Sequence, residues 1–148
     1  MTLRALTIYQ PWAWAIAAGH KTIENRPGPA WSYRGPLAIH AGKQGDVNGW
    51  VDPRVRDAIA AYGMSGPDPA FLEARMAVLA VVDLVDVHRM DAGCCASVWR
   101  QTHGGVHLVL DNARALPVPV PCRGAQGLWF LPADVETAVR AALPGVTA

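Results

Sequence analysis

The stretch that most constrains the fold is a valine-rich run in the middle of the chain. It extends from Met76 to Val87 and reads MAVLAVVDLVDV, with Asp83 as the polar exception in its interior. A run of this kind, rich in β-branched residues, is typical of a strand buried within a sheet. It therefore predicts a central strand against which the remaining elements pack.

Shorter patterns on either side of the run predict the other elements. They predict strands at 3–8, 37–40, 106–110 and 127–131, helices at 11–18, 53–62 and 132–143, and a helical turn at 70–74. The segments 64–69 and 90–105 have the composition of loops. Pro117, Pro119 and Pro121 predict an edge strand or an extended connector, because proline cannot donate a hydrogen bond to a neighbouring strand.

Length and composition limit the class of protein. The chain has 148 residues, of which 51% are hydrophobic, so we expect a single domain over residues 1–148 with an ordinary packed core. The longest apolar run, 76–82, is far too short to span a bilayer, and the N-terminus lacks the pattern of a signal peptide. Three cysteines do not make a disulfide framework, so we expect a cytoplasmic protein with no membrane partner.

The charge balance limits the nucleic-acid partners. Thirteen basic and 12 acidic residues give a formal net charge of +1. This small excess argues against a protein that binds duplexes through a strongly basic surface, although a local basic patch is compatible with it.

The segment richest in polar chemistry runs from residue 8 to residue 43. Pro11 suits the first turn of a short helix and Gly19 suits its end, so the chain passes from this helix into a segment that carries Lys21, Glu24 and Arg26. If that segment is extended, Glu24 and Arg26 share a face opposite Lys21. A cation and a carboxylate this close could hydrogen-bond the polar edge of a nucleobase. The same spacing is common in charge clusters exposed to solvent, so the residues alone leave both interpretations open.

Three stretches of this segment resemble a known family. QPWAWAI (10–16), GHKTIENR (19–26) and YRGPLAIHAGK (33–43) look like core motifs of the ASCH (ASC-1 homology) domain, a branch of the PUA-like superfamily. VLAVVDLVDV (78–87) and PCRGAQGLWFLP (121–132) fit the central and closing strands of the same family. The resemblance covers most of the chain in the right order. It implies an α+β fold, a small PUA-like β-barrel flanked by two to four short helices.

The resemblance also implies a position for the charged residues. In similar domains the segment with Lys21, Glu24 and Arg26 faces a cleft in the barrel, which favours a module that binds RNA, single-stranded nucleic acid or a modified nucleoside. In this hypothesis the three charged side chains read base edges, and Trp12 offers a face on which a base can stack. Trp12 can equally be an anchor in the core.

Three more residues are candidates for the same binding site. Arg34 and Lys43 would contact phosphates, which position a strand without reading its sequence. His40 follows a predicted strand and could approach the cleft, although a histidine in such a place is more often a structural hydrogen-bonding residue.

A second hypothesis is a hydrolase. Some small ASCH proteins resemble amidohydrolases that act on N4-acetylcytidine-type nucleosides with a lysine, a threonine and a glutamate. Lys21 matches the lysine, but Glu24 stands where the threonine is expected, and no glutamate follows the central strand before residue 136. The nearest substitutes are Thr22, Asp86 and Asp91.

A ribonuclease is the other hydrolase associated with the family. It would need a general base, for which Glu24 and His40 are the candidates. If the protein is an enzyme, we expect Lys21 and Glu24 to be its catalytic residues. Lys21 would then act as a cation next to a carboxylate rather than as a nucleophile.

Metal and cofactor motifs are incomplete. His103 and His107 have H-x₃-H spacing, and further nitrogen and sulfur donors are His88, Cys94, Cys95 and Cys122. No C-x₂-C pair accompanies them, so the usual zinc templates are only half met. The sequence therefore predicts no metal and no cofactor.

A third function, a protein-interaction module, ranks last because we expect no tail or linker to carry protein partners.

Overall fold

The computed structural model describes residues 2–62, 69–91 and 93–146. Almost all of the loop predicted at 64–69 lies outside these residues. The strands are β1 (Arg4–Gln10), β2 (Ile23–Arg26), β3 (Gly35–Gly45), β4 (Ala77–Arg89), β5 (Val106–Pro121) and β6 (Leu128–Phe130). The helices are α1 (Trp12–Ala17), α2 (Val47–Val51), α3 (Pro53–Ala60) and α4 (Ala133–Ala142), with a 3₁₀ turn at Pro69–Glu73.

The strands form one six-stranded sheet in the order β2-β5-β4-β3-β1-β6. The predicted central strand is confirmed, because β4 lies between β3 and β5 and pairs antiparallel with both. β1 and β3 are parallel, and the remaining pairs are antiparallel. Among the described residues β2 and β6 each pair on one side only, so the strands form an open sheet and the expected closed barrel is not seen.

The proline-rich half of β5 lies at a local edge. β2 pairs with β5 only at Val106–Val109, so among the described strands β4 alone lies beside the stretch with Pro117 and Pro119. The pairing of β4 with β5 also shifts register there, between Val78 and Ala80. The predicted edge is therefore confirmed. The prolines lack a backbone N–H, but no second strand lies beside them that would need this donor.

The two faces of the sheet bury separate apolar clusters. Leu37 and Ile39 of β3 point to the face covered by α1 and α3, where the buried indole of Trp14 lies. Ala38 points to the other face, which α4 covers with Val139. This alternation confirms that Leu37 and Ile39 share one face. None of the helices in the described parts of the chain has the length and apolar character needed to cross a membrane.

The connection between β1 and α1 is fixed by a buried side chain. Gln10 is fully buried, and its Oε1 accepts a hydrogen bond of 3.0 Å from the backbone N–H of Trp14. Its Nε2 donates to the backbone oxygen of Phe71 at 2.7 Å. The peptide bond between Gln10 and Pro11 is cis. Gln10 thus satisfies one of the N–H groups that a helix leaves without a partner at its start.

Candidate functional site

A cavity of about 870 Å³ opens where α1, β1 and β2 meet three loops. The described residues that form its wall are Thr7, Ile8, Tyr9, Trp12, Lys21, Glu24, Asn25, Arg26, Pro27, Trp31, Asp46, Asn48, Asp52, Arg54, Trp99, Arg100, Gln101, Ala125, Gln126 and Gly127. The structure brings four of the predicted site residues to this cavity: Trp12, Lys21, Glu24 and Arg26.

Lys21 and Glu24 form a buried ion pair in the cavity wall. Lys21 is 5% exposed and Glu24 is 8% exposed, and Nζ lies 2.7 Å from Oε2. Nζ also donates to the backbone oxygen of Ile23. The two side chains meet because β2 begins only at Ile23, so Lys21 precedes the strand and is not bound by its alternation. The alternation expected for an extended segment therefore does not reach back to Lys21.

Trp12 serves both as a core anchor and as cavity wall. Its Nε1 donates to Asp46 Oδ2 at 2.8 Å, and its ring meets Trp99 edge to face with the centroids 6.5 Å apart. Lys21 Nζ lies 6.0 Å from the centroid of the Trp12 ring. Gly49 packs so closely on the indole that a Cβ there would stand 2.9 Å from it. The indole is thus held in one orientation beside the ion pair.

Asn25 joins β2 to the loop between β4 and β5. Its Nδ2 donates to the backbone oxygen of Trp99 at 2.8 Å, and its Oδ1 accepts from the backbone N–H of Gln101 at 2.8 Å. Gly105, at the end of that loop, lies so close to Arg26 that a Cβ would stand 2.0 Å from the Arg26 carbonyl oxygen. Only glycine permits this approach, which holds the loop against the cavity.

Arg54 ties α3 to the same loop. It pairs with Asp52 at 2.6 Å, donates to the backbone oxygen of Val98 at 2.7 Å and lies 4.9 Å from the centroid of the Trp99 ring. Its side-chain hydrogen bonds to Asp52 lower the pKa of that carboxyl below its ordinary value. The carboxylate therefore stays charged at neutral pH on the cavity wall.

The structure does not bring Arg34 to the cavity. The guanidinium of Arg34 pairs with Asp86 at 3.2 Å and donates to the backbone oxygens of Trp31, Tyr33 and Val87. These contacts hold the loop before β3 against β4. Lys43 is exposed and borders a smaller, neighbouring pocket of about 240 Å³.

His40 borders the smaller pocket but is fully buried. Its Nε2 donates to the backbone oxygen of Cys122 at 2.8 Å, since a carbonyl can only accept. Its Nδ1 then accepts from Thr7 Oγ1 at 3.1 Å, and that hydroxyl accepts from Trp129 Nε1 at 3.2 Å. Burial lowers the pKa of His40, with the hydrogen bond to Cys122 acting in the opposite direction. These bonds fit the structural interpretation of His40.

A family model settles the relationship of the chain to known proteins. The model of the ASCH domain matches residues 6–115. The chain belongs to the ASCH family. The match spans the cavity residues on α1, β2 and the loop between β4 and β5.

Solved structures agree with this assignment at the level of the fold. The crystal structure of ASCH from Zymomonas mobilis has a TM-score of 0.54 at 15% identity, and the match covers 96% of this chain and 95% of that one. A point variant of the Zymomonas protein gives 0.54 at 15% identity, covering 97% and 99%. A comparison with curated proteins found no match.

In this ASCH domain the described wall of the cavity holds Lys21 but none of the sequence-based candidates for the threonine and the glutamate of the amidohydrolase hypothesis, which are Thr22, Asp86 and Asp91. Thr22, the nearest threonine to Lys21, is exposed and is not part of the cavity wall. Asp86 lies on β4, paired with Arg34 and His88, and the cavity wall does not include it. Glu24, which stands where the threonine is expected, is the candidate catalytic carboxylate that faces the cavity in the part of the chain that the structure describes.

Sequence reasoning missed most of the residues that build the cavity, among them two tryptophans and an arginine that shape its wall. Trp31, Trp99 and Arg54 all line it, although they come from separate loops and from α3. The high tryptophan count, six, was the only signal, and it does not say which rings face a cavity. Their positions follow from the packing of the loops, which local sequence patterns do not report.

Proposed function

We propose that this ASCH domain binds a nucleobase of RNA, of single-stranded nucleic acid or of a modified nucleoside in the cavity. The observation that carries the proposal is the buried pair of Lys21 and Glu24 in the cavity wall. An ammonium group supplies donors and a carboxylate supplies acceptors, so together they match the mixed polar edge of a base.

The pair retains hydrogen-bonding capacity toward the cavity. Lys21 Nζ has three N–H donors, of which Glu24 and the Ile23 carbonyl take two. Glu24 Oε1 has no partner among the described residues, whereas Oε2 holds the lysine. One donor and one acceptor oxygen are thus available to a ligand that enters the cavity.

The remainder of the wall suits a flat, polar ligand. A volume of about 870 Å³ falls in the range of roughly 300–1,000 Å³ that small-molecule sites occupy. Trp12, Trp31 and Trp99 supply aromatic surface, and base stacking on such rings contributes about 1–3 kcal/mol. The charges on the wall nearly balance, with four cations (Lys21, Arg26, Arg54, Arg100) and three carboxylates (Glu24, Asp46, Asp52).

The near balance of charges on the cavity wall favours recognition of a base over binding of a phosphate backbone. Proteins that bind duplexes through phosphates need clustered cations, and the whole chain carries a net charge of only +1. Arg26 borders the cavity, whereas Arg34 and Lys43 do not, so we assign Arg26 to a flanking phosphate. RNA recognition commonly uses unpaired bases that stack on aromatic rings and hydrogen-bond at their edges.

The test is a titration of the protein with nucleosides, N4-acetylcytidine among them, and with short single-stranded and duplex RNA and DNA. We expect single strands or a nucleoside to bind in preference to duplexes. Trp12→Leu should weaken binding by about 1–3 kcal/mol through the lost stacking face. Trp50→Leu is the matched control, because Trp50 packs against the same apolar cluster and does not line the cavity.

Two results would contradict the proposal. One is the absence of binding at low salt to every compound in the panel. The other is equal weakening by the Trp12 and Trp50 variants, which would trace the effect to the core. Release of free cytidine from N4-acetylcytidine, lost in both Lys21→Ala and Glu24→Ala, would instead establish the hydrolase.

A further inference from the structure

A second cluster of reactive side chains lies behind the loop that closes the cavity. His88 on β4 is paired directly with His107 on β5, and the loop between the two strands returns Cys94 and Cys95 to these histidines. The four donor atoms, two nitrogens and two sulfurs, all lie within 4.8 Å of one another. His107 is fully buried and the other three residues are half-buried.

The hydrogen bonds outside the cluster fix which ring nitrogens carry protons. His107 Nε2 donates to the backbone oxygen of Gln101 at 2.7 Å, because a carbonyl can only accept. His88 Nδ1 donates to the carboxylate of Asp86 at 2.7 Å for the same reason. In neutral rings, His107 Nδ1 and His88 Nε2 therefore both present lone pairs, and they face each other at 3.2 Å. Two lone pairs at this distance repel, and the contact becomes favourable when a proton or a metal cation lies between them.

Four of the six distances among these atoms match the edges of a tetrahedron around zinc. With Zn–S of about 2.3 Å and Zn–N of about 2.05 Å, tetrahedral angles separate two sulfurs by about 3.8 Å, two nitrogens by about 3.3 Å and mixed pairs by about 3.6 Å. The Sγ atoms of Cys94 and Cys95 are 3.7 Å apart, and His107 Nδ1 lies 3.1 and 3.5 Å from them. With the two nitrogens 3.2 Å apart, each of these four distances agrees with the expected edge to within about 0.5 Å.

We propose that His88, Cys94, Cys95 and His107 bind one Zn²⁺ ion as a closed, structural Cys₂His₂ site. Two thiolates and two imidazoles in a tetrahedron are the ligand set typical of zinc. Four protein ligands leave no open position for a substrate, so the ion holds structure rather than performing catalysis. Asp86 and the Gln101 carbonyl orient the two rings, as hydrogen-bond partners of metal-binding histidines usually do.

The ion would organise the wall of the cavity from behind. It fastens the loop between β4 and β5 at Cys94 and Cys95, and the same loop continues into Trp99 and Gln101, which line the cavity. Asn25 holds the front of the loop through both of its amide atoms. This proposal replaces the sequence-based expectation of no metal, and it stands whether or not the cavity binds a base.

The experiment uses the whole protein, purified under reducing conditions, freed of metal with a chelator and then titrated with Co²⁺ and Zn²⁺ separately. We expect one Co²⁺ per chain, with the visible bands of tetrahedral cobalt and a thiolate-to-cobalt charge-transfer band, both abolished by one equivalent of Zn²⁺. Zinc should also raise the thermal unfolding midpoint, because a ligand that binds only the folded state stabilises it. Hydrogen exchange of the amides at 93–101 should slow when zinc is bound.

Variants separate the four ligands from similar residues elsewhere. Cys94→Ser, Cys95→Ser and His88→Asn should each lower zinc affinity by more than the roughly 10–100-fold that loss of a hydrogen-bond partner of a ligand costs. Cys122→Ser and His103→Asn are the matched controls and should bind zinc like the wild type. The Sγ of Cys122 donates a hydrogen bond to the backbone oxygen of Arg123. His103 is exposed and contacts Thr102. Circular dichroism of each metal-free variant verifies that it remains folded.

Three outcomes would overturn the proposal. If the folded wild type shows no cobalt bands, the four side chains form only a network of hydrogen bonds and no metal site. Unchanged zinc affinity in folded Cys94→Ser and Cys95→Ser would place the ion elsewhere. If Cys94 and Cys95 form a disulfide that persists in reductant and excludes Co²⁺, the two cysteines are disulfide partners and not metal ligands.

Discussion

Two buried polar groups border neighbouring pockets and differ in the hydrogen-bonding capacity that they leave available. Lys21 and Glu24 hold each other at 2.7 Å in the wall of the large cavity, and each keeps an atom for a further hydrogen bond. His40 and Thr7 lie beside the smaller pocket, and both ring nitrogens of His40 are already used. Lys21, Glu24 and His40 are all buried. The two places differ in the hydrogen-bonding capacity that still faces a cavity.

The comparison explains why His40 is better described as a structural residue. Gly124 lies over its ring so closely that a Cβ would stand 2.6 Å from Cε1. The ring is also packed edge to face with Trp129, with the centroids 5.5 Å apart. A base could reach His40 only by displacing these contacts. A buried polar residue is therefore a candidate for binding when part of its hydrogen-bonding capacity still faces open space.

The largest effect is expected from breaking the ion pair on one side. Lys21→Met should lower the free energy of unfolding by about 3 kcal/mol, because it leaves the Glu24 carboxylate buried without its counterion. Base binding should weaken about 10- to 100-fold through the loss of a charged donor. Urea unfolding measures the first effect and ligand titration the second.

The double variant Lys21→Met with Glu24→Leu is the control for this prediction. It should recover about half or more of the lost stability, because replacing both partners of a buried pair with apolar residues is often tolerated. Binding should not recover. If both stability and binding return, the pair serves only the fold and the contrast with His40 disappears.

A smaller effect is expected from His40, and it should depend on pH. Burial lowers the pKa of His40 below its ordinary value of 6.5, so the unfolded chain takes up a proton more readily than the folded protein. His40 therefore costs no stability above about pH 6.5 and destabilises the fold progressively as the pH falls below that value. In His40→Gln the free energy of unfolding should fall less steeply between about pH 7 and pH 5.

Unfolding by urea at several pH values measures this slope in the wild type and in His40→Gln. Base binding by His40→Gln at neutral pH should be unchanged. Weaker base binding in a stably folded His40→Gln would show that the smaller pocket also contributes to recognition.

The smallest effect is expected from the cations around the cavity. Arg26→Ala should reduce the slope of log K against log salt by about 0.7 for a single strand, since one phosphate contact is lost. Arg34→Ala should leave this slope unchanged, because Arg34 is tied to Asp86 and to backbone carbonyls outside the cavity. Binding titrations of one oligonucleotide at several salt concentrations provide the measurement. An equal change in both variants would extend the interface to the loop before β3.

Local patterns in the sequence predicted most of the elements. The valine-rich run became β4, the stretch predicted as a helix at 132–143 became α4, and Asp52 caps α3 by accepting from the backbone N–H of Arg54. These elements depend on neighbouring residues, whose periodicity and capping are visible in the chain. The short helix α2 was missed, since five residues capped by Asp46 carry little periodicity.

The sequence by itself determined the α+β class, the family, the central position of β4 and the segment that carries Lys21 and Glu24. Only the tertiary structure decided that these two side chains meet in a cavity, that Arg34 faces away from it and that His40 is sealed. It also decided that His88 and His107, 19 positions apart, meet Cys94 and Cys95. The physical reason is that strand pairing and loop packing join residues distant in the chain, whereas sequence patterns record only neighbours.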